Sequence, residues 1–305
     1  MIKSANTRAC MNCLQFSLPV DMMIRFATLV NPKYDFYQRT GFKEGMPISN
    51  QDVAERIVVD MIRDGFFVDF VELLLRVEVE GYMGRHYTLH GLNNAVAGLL
   101  SEGYLFDKVT RGFFEDQQKR ISPNWGRLLE GDERKMAVLR LDIVGYSDLV
   151  RNNPRDKIEK AYDDVRRIVS QMVIKRFGRL WSWEGDGALA AFLFDQIEQM
   201  AVYAGMEILN ELFFYNRMRN PLNAPINLRL GVNIGMVSYS ESDIKRERNE
   251  TVKQAKKLEA MTESNSLCIP FNLYLTMNPN ALELLSEEKT GSCGKYRTYN
   301  IGIEK

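Results

Sequence analysis

The order of apolar patterns after residue 135 constrains this chain more than any other feature. "MAVLRLDIV" is an aliphatic run of strand length, and "DKIEKAYDDVRRIVSQMVIKRF" carries apolar residues at helical spacing. "RLWSWE" and "ALAAFLF" read as two strands around a Gly-Asp-Gly turn, "QIEQMAVYAGMEILNELFFY" as a second helix and "INLRLGVNIG" as a fourth strand. This β-α-β-β-α-β order predicts a ferredoxin-like arrangement, in which the first and third strands are central neighbours. A further helix, "NETVKQAKKLEAMTE", and two strands, "SLCIPF" and "YRTYNIGI", extend it. The expected fold class is α+β, with a βαββαβ domain over residues 135–305.

The preceding residues read differently. Residues 1–120 are expected to form a small, mostly helical regulatory or docking region, although the first 45 or so show no clear periodicity. In "SNQDVAERIVVDMIRDGFFVDFVELLLRV" apolar residues recur at helical spacing, with Ser49 or Asn50 as N-cap and Gly65 as a break. "LHGLNNAVAGLLSEGYLFD" gives another helix, stopped at Gly103. Helix, turn, helix and a small hairpin would suit a winged-helix unit. Residues 51–110, however, hold ten acidic side chains against five basic ones, which argues against phosphate contacts. Residues 121–134, polar with Pro123 and two glycines, read as a linker.

Across all 305 residues, Lys plus Arg and Asp plus Glu are both 40, so bulk electrostatics does not favour a nucleic-acid partner. The N-terminus has no apolar signal core, and no stretch approaches the ~20 apolar residues of a membrane span, so a cytoplasmic location with no membrane partner is expected. Four cysteines do not make a disulfide framework at this length. Cys10 and Cys13 form C-x-x-C, and His86 and His90 flank "YTL", which resembles a short strand. The gap between the two pairs is far too long for a zinc finger, so these are read as incidental residues.

Two aspartates stand out. Asp142 ends the first strand, and Asp186 sits at a hairpin tip between Gly185 and Gly187. Alone, each has a bland explanation, since Asp is common in hairpin turns and at strand ends. In the βαββαβ topology, however, the tip lies beside the end of the first strand. Two converging carboxylates repel unless a cation sits between them, and hard oxygen ligands for Mg²⁺ or Mn²⁺ suit phosphoryl transfer.

"LRLDIVGYSDLV", "WEGDGALAAF" and "LRLGVNIGMV" resemble, in order and spacing, three signature blocks of the class III nucleotidyl cyclases, over roughly residues 135–303. The resemblance implies that Asp142, Asp186 and the Ile143 carbonyl hold two divalent metal ions (Mg or Mn). It implies attack of a ribose 3′-hydroxyl on the α-phosphorus of a nucleoside triphosphate, with loss of pyrophosphate. It also implies a head-to-tail homodimer with active sites at the interface.

The chain departs from the family pattern at four positions. The family's adenine-reading Lys and Asp fall on Ser182 and Arg246, and its transition-state Asn and Arg fall on Lys253 and Lys257, which share one helix face. Arg246 only donates hydrogen bonds, so it fits an acceptor-rich base edge rather than the adenine amino group. Trp181 and Trp183 add bulk beside Ser182, or else belong to the core. These changes are similar to those of the pyrimidine cyclases of bacterial anti-phage (Pycsar) defence, which implies UTP or CTP as substrate. An adenylate or guanylate cyclase and a catalytically inactive cyclase-like dimerisation or sensing module remain the alternatives. Lys289 and Lys295 are both candidates for the triphosphate-binding lysine, and the activating signal is not encoded in any motif.

Overall fold

Hydrogen-bonded caps and packed apolar stripes build the N-terminal part of this computed structural model, which describes residues 4–43, 45–107, 112–194 and 196–301. The chain divides into two units, Met1–Leu128 and Leu129–Lys305.

The first unit carries α1 (Ser4–Ser17), α2 (Val20–Val30), α3 (Phe36–Thr40), α4 (Asn50–Arg63), α5 (Phe67–Glu80), α6 (Leu92–Ser101) and the antiparallel pair β1 (Tyr104–Asp107) and β2 (Gly112–Glu115). Ser49 caps α4 by accepting from the Asp52 N–H, and Val53, Ile57, Val58 and Met61 put one helix face into the core. Gly65, at φ +78°, makes the break before α5. The first 45 residues, which lack periodicity, are largely helical: Cys10, Cys13 and Leu14 of α1 are fully buried. Burial pushes the Cys10 thiol up and the Cys13 thiol up to about 12, so neither offers a thiolate. His86 and His90 are exposed on an irregular segment, not flanking a strand, and among the described residues no group of three or more metal-ligating side chains converges.

Residues 121–134 are not a free linker. Trp125 and Leu128 are buried, the Tyr104 hydroxyl donates to the Gly126 carbonyl, and Arg127 pairs with Asp69 and Glu72 at 2.7 and 2.8 Å. From Leu129 onward the chain belongs to the second unit, where the Gly131 N–H donates to the Tyr239 carbonyl.

The second unit is α+β. Its elements are β3 (Glu133–Ile143), α7 (Tyr146–Asn152), α8 (Arg155–Lys175), β4 (Arg179–Glu184), β5 (Gly187–Phe192), α9 (Ile197–Met218), β6 (Leu228–Ser238), α10 (Asp243–Arg248), α11 (Glu250–Ala260), β7 (Ser266–Pro270), α12 (Phe271–Tyr274), α13 (Pro279–Leu282), β8 (Lys289–Gly291) and β9 (Gly294–Asn300). The sheet order is β4-β5-β3-β6-β7-β9-β8, in which β3-α8-β4-β5-α9-β6 forms the ferredoxin-like core. Strand alternation sends Leu139, Leu141 and Ile143 of β3, Ala188 and Ala190 of β5, and Leu228, Leu230 and Val232 of β6 into one core beneath α8 and α9. The closing strand is β9; residues 302–303 of "YRTYNIGI" lie outside the described residues. No helix among the described residues is long and apolar enough to cross a membrane.

Candidate functional site

The face of the sheet away from α8 and α9 carries the candidate site. Because Leu141 and Ile143 face the core, Arg140 and Asp142 project to the opposite face. β3 pairs antiparallel with β5, Asp142 lying opposite Gly187, so the β4–β5 tip falls beside the end of β3. The Ile143 N–H donates to the Asp186 carbonyl at 2.9 Å. In a strand a residue's N–H and C=O share one edge, so the Ile143 carbonyl also faces the tip. The two central residues of the turn are Gly185, at φ +57°, and Asp186, flanked by the pair Glu184–Gly187. The glycine therefore precedes the aspartate in the turn, as a tight hairpin with one positive φ requires.

Asp142, Asp186 and Ser182 line one cleft of about 430 Å³. Its other charged residues are Glu184, Asp243, Glu247 and Glu259 against Arg140 and Lys256, so six carboxylates face two cations. Among the described residues the Asp186 carboxylate has no hydrogen bond or ion pair. Asp142 differs: Arg229 stands directly opposite it on β6 and donates to its Oδ2 at 2.6 Å, while the Arg229 Nε lies 3.5 Å from Glu259 Oε1. Burial raises the Glu259 carboxyl above the usual range, and the Asp142 charge adds to it, against Arg229, Arg140 and Lys256. A free carboxylate and a second one on the adjoining strand, both lining this cleft, offer hard oxygen donors of the kind that suit Mg²⁺ or Mn²⁺. Asp142 would have to exchange Arg229 for the metal.

The four departing residues separate. Ser182 is in the cleft. Arg246 is not: it is 5 % exposed, and its guanidinium donates to the Ser240 carbonyl (2.5 Å), the Trp181 carbonyl (2.7 Å), Asp243 (2.8 Å) and the Glu241 carbonyl (3.1 Å). With its donors engaged in bracing α10 against β4, Arg246 has little left for a base edge. Its neighbours Asp243 and Glu247 reach the cleft instead, and Glu247 accepts from Arg140 at 2.5 Å. Arg246→Met should therefore lower stability by about 3 kcal/mol in urea unfolding, because three backbone carbonyls lose a charged donor. A base reader would instead show altered nucleotide preference at unchanged stability.

Lys253 and Lys257 are exposed on α11 and do not line the cleft; Lys256 is the α11 lysine that does. The two tryptophans part company because Trp181 is an extra residue, a bulge between Leu180 and Ser182. Trp181 packs on Tyr239 and under Arg246, whereas Trp183 meets Tyr162 of α8 edge-on. Lys295 lines a separate pocket of about 400 Å³ and pairs with Glu288, and Lys289 lies 3.8 Å from Glu263. Arg229 escaped the sequence reading, although the antiparallel register of β3 and β6 puts it opposite Asp142.

No family model matches the chain, and no curated protein matches it. Solved structures of similar fold do exist. The adenylyl cyclase CyaB from P. aeruginosa is similar over 58 % of this chain and 98 % of its own, at 17 % identity and a TM-score of 0.48. An adenylate/guanylate cyclase/hydrolase from Silicibacter pomeroyi matches over 56 % of this chain and 98 % of its own, at 21 % identity and 0.47. The guanylate cyclase domain of RhGC from Catenaria anguillulae, in complex with GTP, matches over 55 % and 96 %, at 16 % identity and 0.46. These likenesses are distant.

Proposed function

We propose that residues 129–305 form a metal-dependent nucleotidyl cyclase domain that converts a nucleoside triphosphate to its 3′,5′-cyclic monophosphate and pyrophosphate. The observation that carries this reading is that Asp142 and Asp186 line one cleft, the β4–β5 tip being paired beside the end of β3. A cleft with six carboxylates repels a triphosphate unless cations enter with it. Two divalent ions held there would supply activation of the 3′-hydroxyl and neutralisation of the phosphates. Asp142 and Asp186 would hold them, Ser182 would offer a hydroxyl donor and acceptor to the substrate, and Arg229, if freed from Asp142, would offer a guanidinium to a phosphate oxygen. The exposed positions of Lys253 and Lys257 support a homodimer in which these lysines serve the cleft of a second copy, so that each active site spans the interface.

The finer reading is a cytoplasmic pyrimidine cyclase that makes cUMP or cCMP as a signal in anti-phage defence. It rests on the departures at Ser182, Lys253 and Lys257, now without Arg246 as base reader. One observation favours a second reading, an inactive cyclase-like module: Asp142 already has a cation partner in Arg229. Incubating the purified chain with each of the four NTPs and Mn²⁺ separates these. Dominant cUMP or cCMP is expected, dominant cAMP or cGMP would end the pyrimidine reading, and no cyclic product from any NTP would favour the inactive module.

A further inference from the structure

The tip residue Asp186 is held from two sides, and only one of them belongs to the sheet. The peptide after Asp186 is anchored by its own carbonyl, which accepts from the Ile143 N–H at 2.9 Å. The peptide before it is anchored by the Gly185 carbonyl, which accepts from the Tyr162 hydroxyl at 2.6 Å. Each peptide is a rigid plane. With both planes flanking the Asp186 Cα fixed, the direction of its Cα–Cβ bond is fixed as well.

Among the described residues no other hydrogen bond holds the Gly185 carbonyl. Gly185 sits at φ +57° with open space around it, and Asp186 has no side-chain hydrogen bond or ion pair among the described residues. Tyr162 is itself well placed to act as a strut. Its neighbours Ile158, Ala161 and Val165 anchor α8 in the core, and its ring meets Trp183 edge-on at 5.7 Å and Tyr146 at 6.0 Å. Tyr162 is close enough to Asp186 for the carboxylate's charge to act on its hydroxyl.

We propose that Tyr162 is a positioning residue, whose hydroxyl orients the Gly185–Asp186 peptide so that the Asp186 carboxylate faces Asp142 across the cleft. This rests on the reading of the two aspartates as metal ligands. Losing the hydroxyl frees one peptide plane, so the two carboxylates present a preformed pair for a smaller fraction of the time, and a divalent cation binds more weakly by that fraction. The ring, and with it the packing on Trp183 and Tyr146, is kept in Tyr162→Phe.

The test is Mn²⁺ binding to the full-length chain without nucleotide, read from the EPR signal of free Mn²⁺, for wild type, Tyr162→Phe and Asp186→Asn. Wild type should bind, Asp186→Asn should lose most binding, and Tyr162→Phe should bind about five-fold more weakly, about the worth of one hydrogen bond. At saturating Mn²⁺ the Phe variant should recover its product formation, a recovery that a merely structural role would not give. Wild-type Mn²⁺ affinity in Tyr162→Phe, with loss in Asp186→Asn, would overturn the positioning role and leave the metal reading standing. Equal binding by wild type and Asp186→Asn would overturn the metal reading and this inference together.

Discussion

Asp186→Asn should lower cyclic nucleotide formation by at least about a hundredfold while the chain remains folded, and Asp142→Asn should do the same. Each substitution keeps the shape of the side chain and, on the proposed reading, removes a charged oxygen that would hold a divalent cation. The fold does not depend on either carboxylate. Asp186 makes no side-chain hydrogen bond or ion pair among the described residues, so its replacement leaves no partner stranded. Asp142 has one partner, Arg229, which keeps Glu259 within 3.5 Å when Asp142 is neutral. Turnover measured beside circular dichroism checks both halves of the expectation. Persistent product from either folded variant would mean that the metal roles are misassigned.

Gly231→Ala should be the most damaging small change in the second unit, destabilising it by about 3 kcal/mol in urea unfolding. A Cβ at Gly231 would lie 2.4 Å from the Ala255 carbonyl oxygen and 2.4 Å from the Glu259 nitrogen, both backbone atoms of α11. Backbone cannot swing aside as a side-chain tip can, so α11 must lift from β6. Glu259 and Lys256 ride on that helix into the cleft, so turnover should fall with stability rather than independently of it. Gly185→Ala meets nothing within 4 Å and suffers only from its positive φ, so its cost should be about 1 kcal/mol. Similar losses at the two glycines would show that helix–strand contact is not what limits Gly231.

The parts of the fold that depend on long periodic segments were legible in the sequence. Apolar spacing marked β3, α8, α9, β6 and α11, and their order implied which strands are neighbours. That neighbourhood carried the strongest functional expectation, since Asp142 and the Asp186 tip meet through strand pairing and need no knowledge of side-chain orientation. Expectations that did depend on orientation fared differently. Counting positions brought Arg246 to the base site, but the side chain turns inward to three backbone carbonyls. On α11 a shift of one residue rotates a side chain by about 100°, so Lys256 lines the cleft and Lys257 does not. The bulge at Trp181 upset strict alternation on β4, which nothing in "RLWSWE" announces. In the first unit, α1 buries Asn6, Cys10, Cys13 and Leu14, a set with one large apolar side chain, and its helicity comes from packing rather than from a visible stripe.

Anomalous diffraction from crystals of the full chain grown with Mn²⁺ and a non-hydrolysable nucleoside triphosphate bears most directly on the shared-ligand account. Manganese peaks about 2 to 2.5 Å from carboxylate oxygens of both Asp142 and Asp186, with Arg229 withdrawn from Asp142, are the expected result. Nucleotide seated in the cleft with no manganese touching either aspartate, and Arg229 still paired to Asp142, would contradict it.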